Sequence, residues 1–238
     1  ALLEARDYQR VLVLEPRRIT ARLPALALKE LLGDFVGYKI RLESQWSEGA
    51  TKVGYLTYGT ALRLFMESPP GPQELVVFDE FHERSWEAEL LLAYLRSLPE
   101  PPPLLLMSAT LDVESLPPDL PVIESDGRLH PVTVSWEPID PQILGSRDKL
   151  AALVARRSLE WAAKERGEQL IFLPGMAHIR KADLLLQSDP LEGPVDILHS
   201  TLDEAEIRRV VERPAGAGFR RILSTDLAGS SVTLPGIK

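Results

Sequence analysis

Two adjacent acids, Asp79 and Glu80, follow directly on the apolar run Leu75-Val76-Val77-Phe78, and His82 stands two residues further on. A buried parallel strand reads as a continuous apolar run, and open α/β sheets collect their ligands beyond the carboxyl ends of such strands. Two carboxylates at that place suit a Mg²⁺ nucleotide. One can hold the metal, directly or through water, while the next orients or deprotonates the attacking water. His82 would then lie near the phosphates. For an isolated Asp-Glu pair the bland reading is the better one, a strand running into an acidic, solvated turn. What the rest of the chain places beside the pair decides between them.

Polar groups recur at the same kind of position. Arg17 and Arg18 follow the run Val11-Leu12-Val13-Leu14 and precede a helix, where guanidinium forks can hold a phosphodiester backbone. An isolated Arg pair there is more often a solvated face. Thr57 and Gly59 follow Val53-Gly54-Tyr55-Leu56 and can present a hydroxyl and a bare N–H to a phosphate; alone, they read as a helix cap and its turn. Ser108 and Thr110 follow Leu104-Leu105-Leu106-Met107. Their hydroxyls can relay contacts between a nucleotide site and a neighbouring domain, or simply cap Leu111-Asp112. Thr225, Asp226 and Ser230 lie in a polar cluster behind Arg221-Ile222-Leu223.

The elements that must position these groups alternate between apolar runs and amphipathic stretches. A helix end is expected at Ala1 to Ala5 and a strand at Val11 to Leu14. Thr20 is the expected N-cap of a helix that carries Leu26, Leu28 and Leu31 to a stop at Gly33. A strand over Val36 to Arg41 leads into a polar connection through Ser47-Glu48-Gly49. The strand Val53 to Leu56 turns into a helix bearing Leu62, Leu64 and Phe65, which the prolines from Pro69 to Pro72 break. The helix after the acid pair runs from about Ser85 to Leu98 and should turn Leu90, Leu91, Ala93, Tyr94 and Leu98 to a core. Leu104 to Met107 reads as a third strongly buried strand. Strands alternating with helices argue for an open, mostly parallel α/β sheet.

A shift in composition at Ser125-Asp126-Gly127, followed by Pro131, Pro138 and Pro141, divides the chain into residues 1–128 and 129–238. The second block repeats the pattern. A helix is expected from about Asp148 to Arg166, then the strand Leu170 to Leu173 with Pro174-Gly175 as its exit. A helix with Ile179, Ala182 and Leu185 precedes the strand Val195 to Leu198. A helix with Ala205, Ile207 and Val210 leads to the last strand.

Composition narrows the classes. A chain of 238 residues that is 45% hydrophobic and 26% charged is ordinary for one large or two modest domains with real cores. Its net charge of −8 argues against indiscriminate nucleic-acid binding, which rests on Lys and Arg neutralising phosphates, while leaving room for a local basic groove. The absence of Cys excludes disulfides and thiolate metal sites. No apolar run approaches the roughly 20 residues of a membrane span, and the first residues carry no secretory signal, so a cytoplasmic home is the simplest expectation. No strand leads into Gly-x-Gly-x-x-Gly, which speaks against a nicotinamide-binding Rossmann enzyme. The four histidines, His82, His130, His178 and His199, lack the paired spacing of a metal hydrolase.

In order and spacing these pieces resemble a superfamily 2 helicase of the DEAH-box group, and most closely its bacterial HrpB-type members. Leu14-Glu15-Pro16-Arg17-Arg18 matches motif Ia and Thr57-x-Gly59 motif Ib. Asp79-Glu80-Phe81-His82-Glu83-Arg84 matches motif II, and Ser108-Ala109-Thr110 motif III. Leu170 to Gly175 resembles motif IV, and Ser224 to Gly236 motif V. The resemblance covers nearly the whole chain. It implies two RecA-like domains, each a mostly parallel sheet flanked by helices and each incomplete, with ATP and Mg²⁺ between them and single-stranded RNA, or DNA, across both. By resemblance Asp79 and Glu80 serve the metal and the hydrolytic water, and His82, Ser108 and Thr110 couple hydrolysis to domain movement. Arg17, Arg18, Thr57, Gly59 and Thr225 face the nucleic-acid backbone, and Asp226 and Ser230 the nucleotide.

The departures are specific. Phe81 replaces the Ala of the group's name, as is common in HrpB-type members. Asp226 stands where Asn is usual and Gly229 where Glu is usual. Neither the phosphate loop Gly-x-x-x-x-Gly-Lys-[Ser/Thr] nor the arginine-finger motif Gln-x-x-Gly-Arg-x-Gly-Arg occurs in the 238 residues. In the family they lie upstream of Ala1 and downstream of Lys238, so the expectation is a fragment with both flanks cut away that hydrolyses ATP poorly or not at all. The competing expectation is a degenerate, non-catalytic module that binds RNA or protein.

Overall fold

The computed structural model describes residues 8–110, 121–124, 131–164, 167–188, 193–199, 202, 204–211 and 218–225. They belong to two compact units, divided between Glu124 and Ser125. The expected helix end at Ala1 to Ala5 lies outside the described residues.

The first unit is built on six strands: β1 (Arg10–Glu15), β2 (Val36–Ile40), β3 (Glu43–Gln45), β4 (Val53–Thr57), β5 (Glu74–Phe78) and β6 (Leu104–Leu106). They lie side by side in the order β3-β2-β4-β1-β5-β6, and every pairing is parallel except the short hairpin of β2 with β3. The α/β, mostly parallel reading of the sequence is therefore the architecture found. β1 and β5 are apolar throughout their middles because they are central and covered on both faces. Leu12, Leu14, Leu56, Val76 and Phe78 pack on one face beneath α2 (Tyr58–Glu67) and α3 (Trp86–Arg96), while α1 (Arg18–Leu32) lies with β2 and β4 over Val36, Tyr38 and Ile40.

Four local expectations differ from what the chain does. Thr20 does not cap α1. Arg17 holds the N-cap position, and Thr20 is buried inside the first turn with its hydroxyl donating to the Arg17 carbonyl at 3.0 Å. The stop at Gly33 is as expected, at φ 58°, a left-handed value that glycine adopts without a β-carbon clash. The polar connection around Ser47 is preceded by β3, a strand too short and too polar to announce itself. On α3 the buried stripe is Ala88, Leu91, Leu92 and Leu95, whereas Leu90 and Ala93 are exposed. The Leu-rich run leaves the phase open; the cap settles it, since the Ser85 hydroxyl accepts from Ala88 N–H at 3.2 Å and fixes where the first turn begins. Finally, β6 is half-buried and not a buried strand, because it is the outermost of the sheet and Leu105 is exposed.

The second unit carries three parallel strands, β7 (Gln169–Phe172), β8 (Val195–Leu198) and β9 (Arg221–Ser224), in the order β7-β9-β8. The short α4 (Pro141–Leu144), α5 (Arg147–Lys164), α6 (Met176–Gln187) and α7 (Glu204–Val211) accompany them. Leu150, Ala151, Ile179, Ala182, Leu186 and Leu223 form a buried core, with Leu186 taking the place expected for the exposed Leu185. Two arginines are fully buried here. Arg220 meets Glu168 at 3.1 Å and donates to the Val210 carbonyl at 2.7 Å, so its charge is paired in the core, and Arg221 donates to the Leu186 carbonyl at 3.3 Å.

Candidate functional site

The register of the first sheet brings the strand ends level. Glu15 lies opposite Thr57, Leu14 opposite both Leu56 and Phe78, and Phe78 opposite Leu106. Everything that follows these strands therefore emerges along one edge. Arg17 and Arg18 leave β1, Thr57 ends β4 with Gly59 in the first turn of α2, Asp79 and Glu80 leave β5, and Ser108 and Thr110 follow β6. Eight of the residues singled out from sequence, and His82 with them, belong to this one carboxyl edge. Thr225 directly follows β9 of the second unit, while Asp226 and Ser230 lie outside the described residues.

At the edge the backbone is tied down. Asp79 N–H donates to the Leu14 carbonyl at 2.9 Å, prolonging the β1–β5 ladder by one residue, and the Tyr58 hydroxyl donates to the Asp79 carbonyl at 2.6 Å. The Asp79 carboxylate accepts from Glu80 N–H at 2.8 Å. Glu80 itself is left-handed at φ 51° and leads into a single 3₁₀ turn, Phe81–Glu83. Phe81 anchors that turn: it is buried edge-on against Phe78, 5.8 Å between ring centres, and its N–H donates to the Met107 carbonyl at 3.0 Å. The ring at this position packs into the core beside Phe78, and the Phe81 backbone joins the loop bearing Glu80 to the one bearing Ser108.

Charge is concentrated here. His82 Nδ1 lies 3.3 Å from Glu80 Oε2, within ion-pair range, yet finds no partner of hydrogen-bond geometry although the atom is buried. Desolvation and the neighbouring Asp79 push the Glu80 carboxyl above the ordinary range, and His82 and Arg17 work against them. Glu15, to which the sequence reading gives a place in motif Ia but no role in the site, is buried beside Asp79. Burial first, and then the Asp79 charge, push its carboxyl up to about 8, against the opposing influence of the nearby Thr20 hydroxyl. The available signal was its place, an acid ending a buried strand in the row of the other site residues. The remaining expected contacts are divided. Thr57 stands at the N-cap of α2, but its hydroxyl pairs with Thr60 Oγ1 at 2.9 Å and not with a backbone N–H. Gly59 is exposed, and a β-carbon there would meet open space. Ser108 Oγ accepts from Thr110 N–H at 3.2 Å. Arg17 meets Glu83 at 3.2 Å and Arg18 meets Glu43 at 3.8 Å.

The donor set fits a magnesium nucleotide. Carboxylate oxygens are hard ligands, and the His82 imidazole beside Glu80 can hydrogen-bond a water or a phosphate. Among the described residues no three His, Cys, Asp or Glu side chains could together hold a metal ion. Mg²⁺ keeps waters and nucleotide oxygens in its shell and is met by one or two protein carboxylates, which Asp79 and Glu80 can supply. Among the described residues no helix is long and apolar enough to cross a membrane.

A parallel α/β sheet that presents an acid pair and a histidine beyond a central strand places the chain with proteins that do their chemistry at the carboxyl edge. The ATP-dependent RNA helicase HrpB of Escherichia coli is 35% identical over 96% of this chain, and the probable ATP-dependent RNA helicase DHX34 of Homo sapiens is 37% identical over 98%. A crystal structure of the Escherichia coli DEAH/RHA helicase HrpB superposes with a TM-score of 0.82 at 33% identity, covering 97% of this chain and 30% of that one. No model of a protein family matches. The chain belongs to the DEAH-box helicases, and its likeness is to their HrpB type. It spans 29% of the length of the HrpB relative and 22% of DHX34.

Proposed function

We propose that this chain is the part of an ATP-dependent RNA helicase core that couples ATP hydrolysis to movement on, or unwinding of, nucleic acid, gripping single-stranded RNA, with residues 1–128 and 129–238 as its two RecA-like domains. The observation that supports it most is the one edge on which Asp79, Glu80 and His82 stand level with Arg17, Thr57 and Ser108. Asp79 and Glu80 would hold the magnesium of bound ATP, which when present neutralises charge on the phosphates. Asp79, fixed by its backbone bonds to Leu14 and Tyr58, supplies a preset carboxylate. Glu80, with its carboxyl raised above the ordinary range by burial and by Asp79, orients the attacking water and accepts its proton. His82, Ser108 and Thr110 carry the state of that site to neighbouring structure through Phe81 and Met107. Arg17, Arg18, Thr57, Gly59 and Thr225 grip the RNA backbone, which gives little sequence preference. Asp226 and Ser230 serve the nucleotide.

The test is ATP turnover with and without single-stranded RNA, on this chain and on the full product of its gene. The 238 residues hold no phosphate loop and no arginine-finger motif, features of the kind worth about 10³–10⁵ in rate, so the chain alone should turn over slowly. RNA-stimulated turnover by the full product supports the helicase reading. Binding of RNA by both with turnover by neither would instead favour the non-catalytic module.

A further inference from the structure

Both arginines assigned to the RNA backbone face an acid of their own unit. Arg17 Nη2 lies 3.2 Å from Glu83 Oε1, with 21% and 23% of the two side chains exposed. Arg18 Nη2 lies 3.8 Å from Glu43 Oε2, and the other Glu43 oxygen already meets Arg22 Nε at 3.2 Å and the Tyr38 hydroxyl at 2.5 Å. The two acids lead to different places. Glu43 sits on β3 at the far edge of the sheet, removed from the acid pair. Glu83 ends the 3₁₀ turn that Glu80 begins: its N–H donates to the Glu80 carbonyl at 3.0 Å, and His82 lies between them. The turn is held between two left-handed non-glycine residues, Glu80 at φ 51° and Arg84 at φ 47°, a conformation that persists only where the surroundings impose it.

A phosphate brought to the Arg17 fork meets the Glu83 carboxylate, and two anions at one guanidinium repel each other unless one gives way. We infer that Glu83 is an internal competitor for the phosphate site at Arg17, so that RNA must displace a carboxylate borne by the same turn as Glu80 and His82. This rests on the nucleic-acid reading of Arg17. It makes Glu83 a residue that sets RNA affinity from within the acid-pair motif, without touching RNA. It also gives RNA capture a direct mechanical connection to the acid pair, since the group it releases is covalently three residues from Glu80.

The experiment is fluorescence anisotropy of a labelled oligouridine single strand against the wild-type chain, Arg17→Gln, Glu83→Gln, Glu43→Gln and the Arg17→Gln/Glu83→Gln pair, at two salt concentrations. Thermal melts verify that each variant is folded. Arg17→Gln should weaken binding and lower the salt slope by about 0.7. Glu83→Gln should tighten binding about two- to five-fold, the range of a partly exposed ion pair, and the gain should vanish in the Arg17→Gln background. Glu43→Gln, remote from the turn and shared among three partners, should change affinity less. If Arg17→Gln weakens binding but Glu83→Gln leaves it unchanged or weaker, or tightens it equally without Arg17, the competitor assignment is wrong while the RNA reading survives. If the wild type binds no RNA, or Arg17→Gln binds as well as wild type, the RNA reading of this edge fails and takes the inference with it.

Discussion

Glu15 and Asp79 put two carboxyls side by side at the ends of neighbouring strands, and burial makes one of them hold its proton. The folded Glu15 value of about 8 lies above the ordinary 4.5, so between those limits the folded state keeps a proton that the unfolded chain has released. Stability therefore falls as pH rises through that window and levels off above it. Glu80, also raised, contributes in the same direction. Replacing Glu15 by Gln keeps the shape and removes the titration. In metal-free buffer, urea melts of Glu15→Gln should show a gain over wild type that is absent near pH 4.5 and grows to a few kcal/mol by about pH 8, since each pH unit crossed inside the window is worth roughly 1.4 kcal/mol. A constant difference across that range would show that Glu15 is ionised in the folded protein. At this scale the sequence was partly legible. Asp79 and Glu80 declared themselves by following an apolar run, because a strand's end is where such acids become accessible. Glu15 hid in an equivalent position, since a lone acid before Pro16 looks like a loop until the register sets it beside Asp79.

Elements were legible where periodicity and punctuation agreed. β1, β4 and β5 follow their apolar runs, and Gly33 ends α1 as expected. The departures arise where one signal is missing. In α3 the run Leu90-Leu91-Leu92 fits several helical phases, and only the Ser85 cap and the packing choose Leu91 and Leu92 for the core. β6 reads as a buried strand because its three leucines say nothing about whether a neighbour covers its outer side. The phase of α3 has a direct mutational signature. Leu91→Ala, at a fully buried position, should lower unfolding stability by about 2–5 kcal/mol, whereas Leu90→Ala, 45% exposed, should stay within about 0.5 kcal/mol. Denaturant melts of the two variants measure this, and equal losses would mean that the helix packs in the other phase.

For the molecule as a whole, the sequence carried the architecture further than the composition carried the function. A net charge of −8 and four unrelated histidines suggest no nucleic-acid enzyme. The alternation of strands and helices does specify a parallel α/β chain, and such a sheet gathers its strand-end loops on one edge whatever their sequence separation. That gathering converts weak signals, each of which has a bland explanation, into one site. It holds for the first unit, where Arg17, Thr57, Asp79 and Ser108 are level. In the second unit only Thr225 of the expected contacts falls among the described residues, immediately after β9. The two buried arginines at the start of that strand were not legible, because Arg at a strand's beginning reads as solvated until Glu168 and the Val210 carbonyl are seen against it.

Everything proposed for this edge turns on Glu80 handling the attacking water of ATP hydrolysis. Single-turnover ATP hydrolysis by the full gene product carrying Glu80→Gln addresses that role directly, compared with wild type at excess enzyme and saturating single-stranded RNA, with nucleotide binding followed separately. Hydrolysis should fall about 10²–10⁴-fold, the range of a lost general base, while ATP still binds. Turnover at the wild-type rate in the Glu80→Gln protein would contradict the assignment and remove Glu80 from the chemistry.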